Sequence, residues 1–207
     1  MADNVNKANG FVPVGHLSGA PWSGKTNMYF IPSTDATAVG IGDVVTLGGT
    51  SGAAGTVVYG IPVEGMPTVA RAAAGSTPVG IIVGFLPNQS DLSVKHRAVS
   101  TARIALVADE PDLVMSVQED SLVSSLAAAD VGENCDMVTG TVDTTTGNGL
   151  QMLDSSTHVA TAATFRVLRL DPKPGNVMNS TGGITDERYA RWLVTFTEHQ
   201  FKSTAGI

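Results

Sequence analysis

Gly19-Ala20-Pro21-Trp22-Ser23-Gly24-Lys25-Thr26 is the stretch whose reading decides the fold. Letter for letter it satisfies G-x-x-x-x-G-K-[ST], the loop that cradles nucleotide phosphates. Ile104 to Asp109 (IALVAD), followed by Glu110, imitates the apolar strand and acid that would hold magnesium. Such a loop works only between a buried parallel strand and a helix whose free N–H groups and dipole receive the phosphates. Before it runs FVPVGHLS, where Pro13 and Gly15 interrupt any central strand. After it runs NMYFIPS, rich in strand formers and stopped by Pro32, so a helix of ordinary length cannot start at Gly24. Pro21 lacks an N–H and Trp22 is bulky, and both sit inside the supposed cradle. The stretch reads as a glycine-rich connection into a β-strand, with a P-loop NTPase kept as an alternative.

Outward from Met28 the pattern is strand-like: MYFIP, GDVVTL (Gly42 to Leu47), TVVYGIPV (Thr56 to Val63), TVARAAAG and PVGIIVGFL (Pro78 to Leu86). Turn residues separate these runs at short intervals, with Gly40, Gly42, Gly48, Gly49, Gly52 and Gly55 crowding the first connections. The second half continues with STARIALVAD, DLVMSVQED, NCDMVTGTV, GLQML, TFRVLRLD and RWLVTFTEH. In the last run Trp192, Val194 and Phe196 share one face and Leu193, Thr195 and Thr197 the other, the alternation of a half-buried strand. Asp171 to Gly175 (DPKPG) is a loop, and Ser121 to Ala129 reads as one short helix capped by Asp120. The expected fold is mainly β: an antiparallel β-sandwich or barrel with long loops, one short helix and an extended N-terminal arm. Residues 1–27, with four Gly, two Pro and singly scattered apolar residues, form that arm and order against either their own domain or a neighbour. Residues 28–207 form a β-rich domain, single or in two β subdomains.

Composition narrows the function. Net charge is −7 and the pI about 4.9, which argues against a surface built to neutralise nucleic-acid phosphates. The basic cluster Lys95, His96, Arg97 reads as a solvated turn. No apolar run is long enough to span a bilayer as a helix and no leader pattern starts the chain, so a soluble, cytoplasmically made protein is expected. Cys135, the single cysteine, reads as a small buried hydrophobe. His16, His96, His158 and His199 are far apart, and none has a carboxylate or second histidine at ligand spacing. Asp109, Glu110 and Asp112 lack the glycine and terminal glutamate of a calcium loop and read as a solvated strand-end turn. There is no G-x-S-x-G elbow, and the sequons at Asn88 and Asn179 indicate loops only. No catalytic, cofactor-binding or metal-ligating residue is assigned. Thinly charged hydrophobic strands and an arm fit surface contact better than chemistry.

Several stretches resemble tailed-bacteriophage capsid decoration, cement or head structural proteins of about this length. They are VNKANGFVPVGHLSGAPWSG, MPTVARAAAGSTPVGIIVGF, TARIALVADEPDLVMSVQEDS, AAADVGENCDMV, GLQMLDSSTHVATAATFRVL and RWLVTFTEHQF, and they cover nearly the whole chain. The resemblance implies a non-enzymatic virion protein that needs no cofactor. It would bind the exterior of an icosahedral head and bridge neighbouring major capsid proteins against internal DNA pressure. A homo-oligomer is expected, trimer favoured over dimer, with a tail or head-completion protein as the alternative. Phe11, Val12, Val14 and Trp22 are the candidate contacts to coat protein or a sister subunit. On that reading, deleting residues 2 to 22 abolishes capsid binding and leaves the β domain folded.

Overall fold

Runs of β-branched and aromatic residues broken every few positions by Gly or Pro favour short strands over helices. The computed structural model describes residues 4–178 and 189–203, and among them fourteen strands form. In chain order these are β1 (Val12–His16), β2 (Asn27–Ile31), β3 (Val44–Ser51), β4 (Val57–Val58), β5 (Ile61–Pro62), β6 (Pro67–Arg71) and β7 (Gly80–Phe85). They continue as β8 (Arg103–Ala108), β9 (Leu113–Gln118), β10 (Asn134–Cys135), β11 (Met137–Val138), β12 (Met152–Leu153), β13 (Phe165–Leu170) and β14 (Arg191–Phe196). The protein is mainly β, as its composition requires.

Five strands close into a barrel in the order β2-β6-β3-β7-β8, antiparallel at every pairing except β2 with β6. Its interior is filled by Tyr29, Ile31, Val45, Val69, Ile82 and Val107. Because successive side chains point to opposite faces, Val44, Ile81 and Ala108 turn outward instead. There they join Leu113, Met115, Val117, Phe165, Val167, Trp192 and Val194 in a second core. That core lies against the antiparallel sheet β1-β9-β14-β13-β10, so barrel and sheet share one apolar interface. Phe30 and Ile104 pack under the β4–β5 hairpin with Val58 and Val63. The hairpin turns at Tyr59 and Gly60, both with positive φ (51° and 78°), the two-residue geometry that matches strand twist.

Trp192, Val194 and Phe196 occupy the shared core as the alternation predicts. The opposite face of β14 is buried too: Leu193 and Thr195 are 6% and 5% exposed, and Thr195 Oγ1 donates to Leu113 O at 3.0 Å.

Two expectations are corrected, and one that the sequence left open, the course of the arm, is resolved. The helix at Ser121 to Ala129 does not form, and among the described residues there are only single-turn 3-10 helices, one of them Ala128–Asp130. Asp120, expected as its cap, instead accepts from Ser155 N (3.2 Å) and Ser155 Oγ (2.8 Å), and Glu119 Oε2 accepts from Leu126 N at 2.8 Å. Ser121 is left-handed at φ 48°. Side-chain acceptors thus take the segment away from helical geometry.

The N-terminal arm does not stand apart from the β domain. β1 pairs with β9, from Val12 opposite Ser116 to His16 opposite Leu113, with a bulge between Pro13 and Gly15. Proline is tolerated there because β1 is an edge strand. Just before it the chain crosses the barrel at two glycines, Gly10 (φ 70°) and Gly42 (φ 89°); a Cβ on Gly10 would lie 2.4 Å from Gly42 O. Phe11 N donates to that carbonyl at 2.8 Å, and the Phe11 ring stacks on Phe165 with centroids 4.6 Å apart. The arm wraps its own domain.

Of the basic triplet only Lys95 is solvated; His96 and Arg97 are buried. Arg97 is fully buried and donates to the carbonyls of Thr101, Thr37, Pro32 and Asp35 at 2.5–2.7 Å, tying the loop after β2 to the loop before β8. His96 is buried beside it, its carbonyl taken by Arg103. The sequon at Asn179 lies outside the described residues.

Candidate interaction surface

After β1 the chain doubles back on itself. Gly19 N donates to His16 O (2.8 Å), His16 N to Ala20 O (2.9 Å) and Trp22 N to Val14 O (3.3 Å), while Leu17 N reaches Asp112 O (2.9 Å). This return covers part of the sheet's free edge, a device that blunts edge-to-edge pairing. It also projects a short finger carrying Val14 and Leu17, 39% and 55% exposed. Between finger and sheet lies an open depression of about 360 Å3 lined by Val14, Leu17, Pro21, Val114, Leu168 and Leu193. On the other flank Phe11, Val12, Pro13, Trp22, Ile82 and Val83 line a second one of about 220 Å3. Trp22 is half-buried, and its Nε1 is buried with no hydrogen-bond partner among the described residues.

Of the four residues picked from sequence, Phe11 belongs to the protein's own core at 1% exposure and is not free to anchor a partner. Val12 and Trp22 are half-buried along the finger's flank, and Val14 faces outward. Leu17 was missed. Its signal was slight, a lone apolar residue between His16 and Ser18 at a turn.

The loop that imitates a phosphate cradle is built differently. Gly19 and Gly24 are left-handed (φ 86° and 84°), and Thr26 leads straight into β2, so no helix N-terminus faces the loop. β2 runs antiparallel to β8, with Asn27 opposite Val107, which does bring the two look-alike motifs together. They pair with each other. Lys25 Nζ contacts Glu110 Oε1 at 2.8 Å, and that hydrogen bond raises the lysine's pKa above its ordinary value. Asp109, 9% exposed and hence no solvated turn residue, accepts from Asn27 Nδ2 (3.0 and 3.1 Å) and from Tyr29 OH (2.7 Å). Burial, then the Asp109 bond, pushes the Tyr29 hydroxyl up.

Cys135 is fully buried, as expected, and desolvation with four nearby carboxylates pushes its thiol up to about 12. A thiol held there is inert. Two histidines stand against carboxylates that spacing did not reveal, His16 beside Glu110 and Asp112 and His158, whose Nδ1 lies 3.0 Å from Glu133 and 3.5 Å from Asp130. The 25 residues separating His158 from Glu133 hide this grouping from any spacing rule. Comparison of the chain with protein-family models, curated proteins and solved structures finds no match.

Proposed function

We propose that this chain is a virion structural protein of a tailed bacteriophage, bound to the outside of an icosahedral head, where it cements neighbouring major capsid proteins against DNA pressure. The observation that carries this reading is the apolar finger. Val14, on the edge strand, and Leu17, just beyond its end, project from a doubled-back segment that is paired to β9 and follows directly on the buried Phe11, so a contact made there transmits load into the shared core. The stretch-by-stretch likeness to head decoration proteins supports it, and so does the course of the chain after Lys25, which enters β2 directly and offers no helix N-terminus to a nucleotide phosphate.

Cementing requires no chemistry. A protein that binds the assembled shell better than free subunits stabilises the shell by mass action, and a trimer gains avidity from contacts that are singly modest. Burying a Val or Leu side chain contributes about 1.5–3 kcal/mol, so a few such residues per subunit suffice. An acidic surface suits the capsid exterior, where DNA contact is not needed.

The test is cosedimentation of the purified protein with heads from a phage lacking its gene, compared with Val14→Asp and Leu17→Asp. Saturable binding at a high fixed ratio to coat protein is expected, with loss in both variants at unchanged circular dichroism. Deleting residues 2 to 22 is unsuitable, because it removes Phe11 and β1 and perturbs the fold itself. Absence of binding to expanded heads by folded wild-type protein would overturn the reading. Incorporation at only a few copies per particle would favour a tail or head-completion role.

A further inference from the structure

Two histidines each stand against two carboxylates, and they do so in different ways. His16 meets Glu110 through Nε2 (3.5 Å) and Asp112 through Nδ1 (3.6 Å), so its acids sit on opposite edges of the ring and no single ion can be shared. His158 meets Asp130 Oδ1 (3.5 Å) and Glu133 Oε2 (3.0 Å) through the same atom, Nδ1. One donor atom from each of these three residues lies within 4.8 Å of the others. Around a zinc-like ion with bonds of about 2.0–2.2 Å, neighbouring donors are separated by roughly 3.0–3.5 Å for angles between octahedral and tetrahedral. The two measured separations fall in that interval.

We propose that Asp130, Glu133 and His158 form a site for a divalent transition-metal ion of the zinc class, clamping the turn at Asp130–Glu133 to the segment that carries His158. The site lies by β10, at the opposite edge of the sheet from β1.

Each ligand is held by its own backbone anchor. Asp130 Oδ2 accepts from Ala127 N at 2.7 Å, which leaves Oδ1 towards the histidine. Gly132, at φ 95°, turns the chain, and Gly132 N and Glu133 O bond to the carbonyl and amide of Val167, each at 2.9 Å. Asn134 and Val159 exchange two 2.9 Å backbone bonds, and this pairing sets their chain neighbours Glu133 and His158 side by side. A site built on fixed backbone needs little reorganisation to bind.

The donor chemistry points to the same class of ion. One neutral imidazole with two carboxylates balances a dication and suits the zinc side of the divalent series, whereas calcium and magnesium prefer all-oxygen shells. The surroundings are negative: Asp130, Asp154, Glu133 and Asp136 all act electrostatically on the adjacent Cys135. The guanidinium of Arg166 is engaged through Nε with Asn134 Oδ1 at 3.0 Å. His158 is 37% exposed at its side chain, which leaves a path for the ion and room for water to complete its shell.

The experiment is calorimetric titration of the chelator-treated, full-length protein with zinc chloride, alongside thermal melts at rising zinc concentration. One saturable site per chain is expected, with a Kd in the micromolar range or below and a melting midpoint that climbs with zinc. His158→Gln and Glu133→Gln should each weaken binding at least about tenfold, His16→Gln should not, and excess calcium should not displace the zinc. Should His158→Gln fail to fold, Glu133→Gln decides. The proposal is overturned by the absence of a saturable site, by zinc affinity unchanged in the folded variants, or by displacement with calcium.

Discussion

Replacing Phe11 by alanine measures how far the N-terminal segment belongs to the fold. Its side chain is 1% exposed and stacked on Phe165, which in turn lies 5.6 Å from Phe196. Burying an aromatic of this size removes roughly 150 Å2 or more from water, worth about 4 kcal/mol at ~25 cal/mol per Å2. Truncation to alanine in a packed site costs about 3–5 kcal/mol. Gly10 and Gly42 lock the backbone on either side of the crossing, so the site cannot easily collapse onto the cavity. With about 4 kcal/mol lost, the thermal midpoint of a chain this long should drop by roughly 8–16 °C. The assay is urea unfolding followed by tryptophan fluorescence, for which Trp22 and Trp192 both report on the shared core. Leu17→Ser, on the exposed finger, is the control and should change stability by less than about 0.5 kcal/mol. If Phe11→Ala costs no more than the control, the segment is a detachable arm and the assignment of Phe11 to the core is wrong.

Other outcomes follow from buried polar groups. Asp43 and Glu119 are fully buried, and desolvation pushes each carboxyl up to about 7. Between their ordinary values and about pH 7 the fold keeps protons that the unfolded chain has lost. These two groups therefore make stability fall as pH rises from about 4 to 7, by on the order of 3 kcal/mol each, and level off above. Asp43→Asn should flatten its share of that slope in urea titrations at pH 5 and pH 8; an unchanged slope would contradict the assignment. Arg97→Lys should cost about 3 kcal/mol in the same assay, since an ammonium cannot reach four carbonyls with a planar fork and leaves buried acceptors unpaired. Lys25→Ala should leave the melting midpoint essentially unchanged, and ATP with magnesium should shift neither protein. A nucleotide-induced rise lost on mutating Lys25 would revive the P-loop reading.

The local record is clear in some places and silent in others. β8, β9, β13 and β14 were legible because alternation and β-branched composition are properties of a few adjacent residues and need no partner to be recognised. The rejection of a phosphate loop was legible for the same reason: Pro13, Pro21 and Pro32 restrict the backbone wherever they are placed. β1 was not legible. Its proline and glycine break the pattern, and only the edge position and the partner β9, about a hundred residues away, make them acceptable. The helix at Ser121 failed in the opposite direction: its local signal was sound, but Asp120 and Glu119 had stronger uses in contacts with Ser155 and Ala190.

What the amino-acid order determined by itself is therefore a β-rich chain, most of its longer strand segments and the turns between them. The tertiary structure decided the rest: that five strands close as a barrel with one parallel pairing, that Phe11 belongs to the core, and that Arg97 is buried in carbonyls drawn from Pro32 to Thr101. It also decided that Asp130, Glu133 and His158 meet. Strand formation depends on side-chain shape over a few residues, whereas each of these meetings depends on registers and loop closures between segments tens of residues apart.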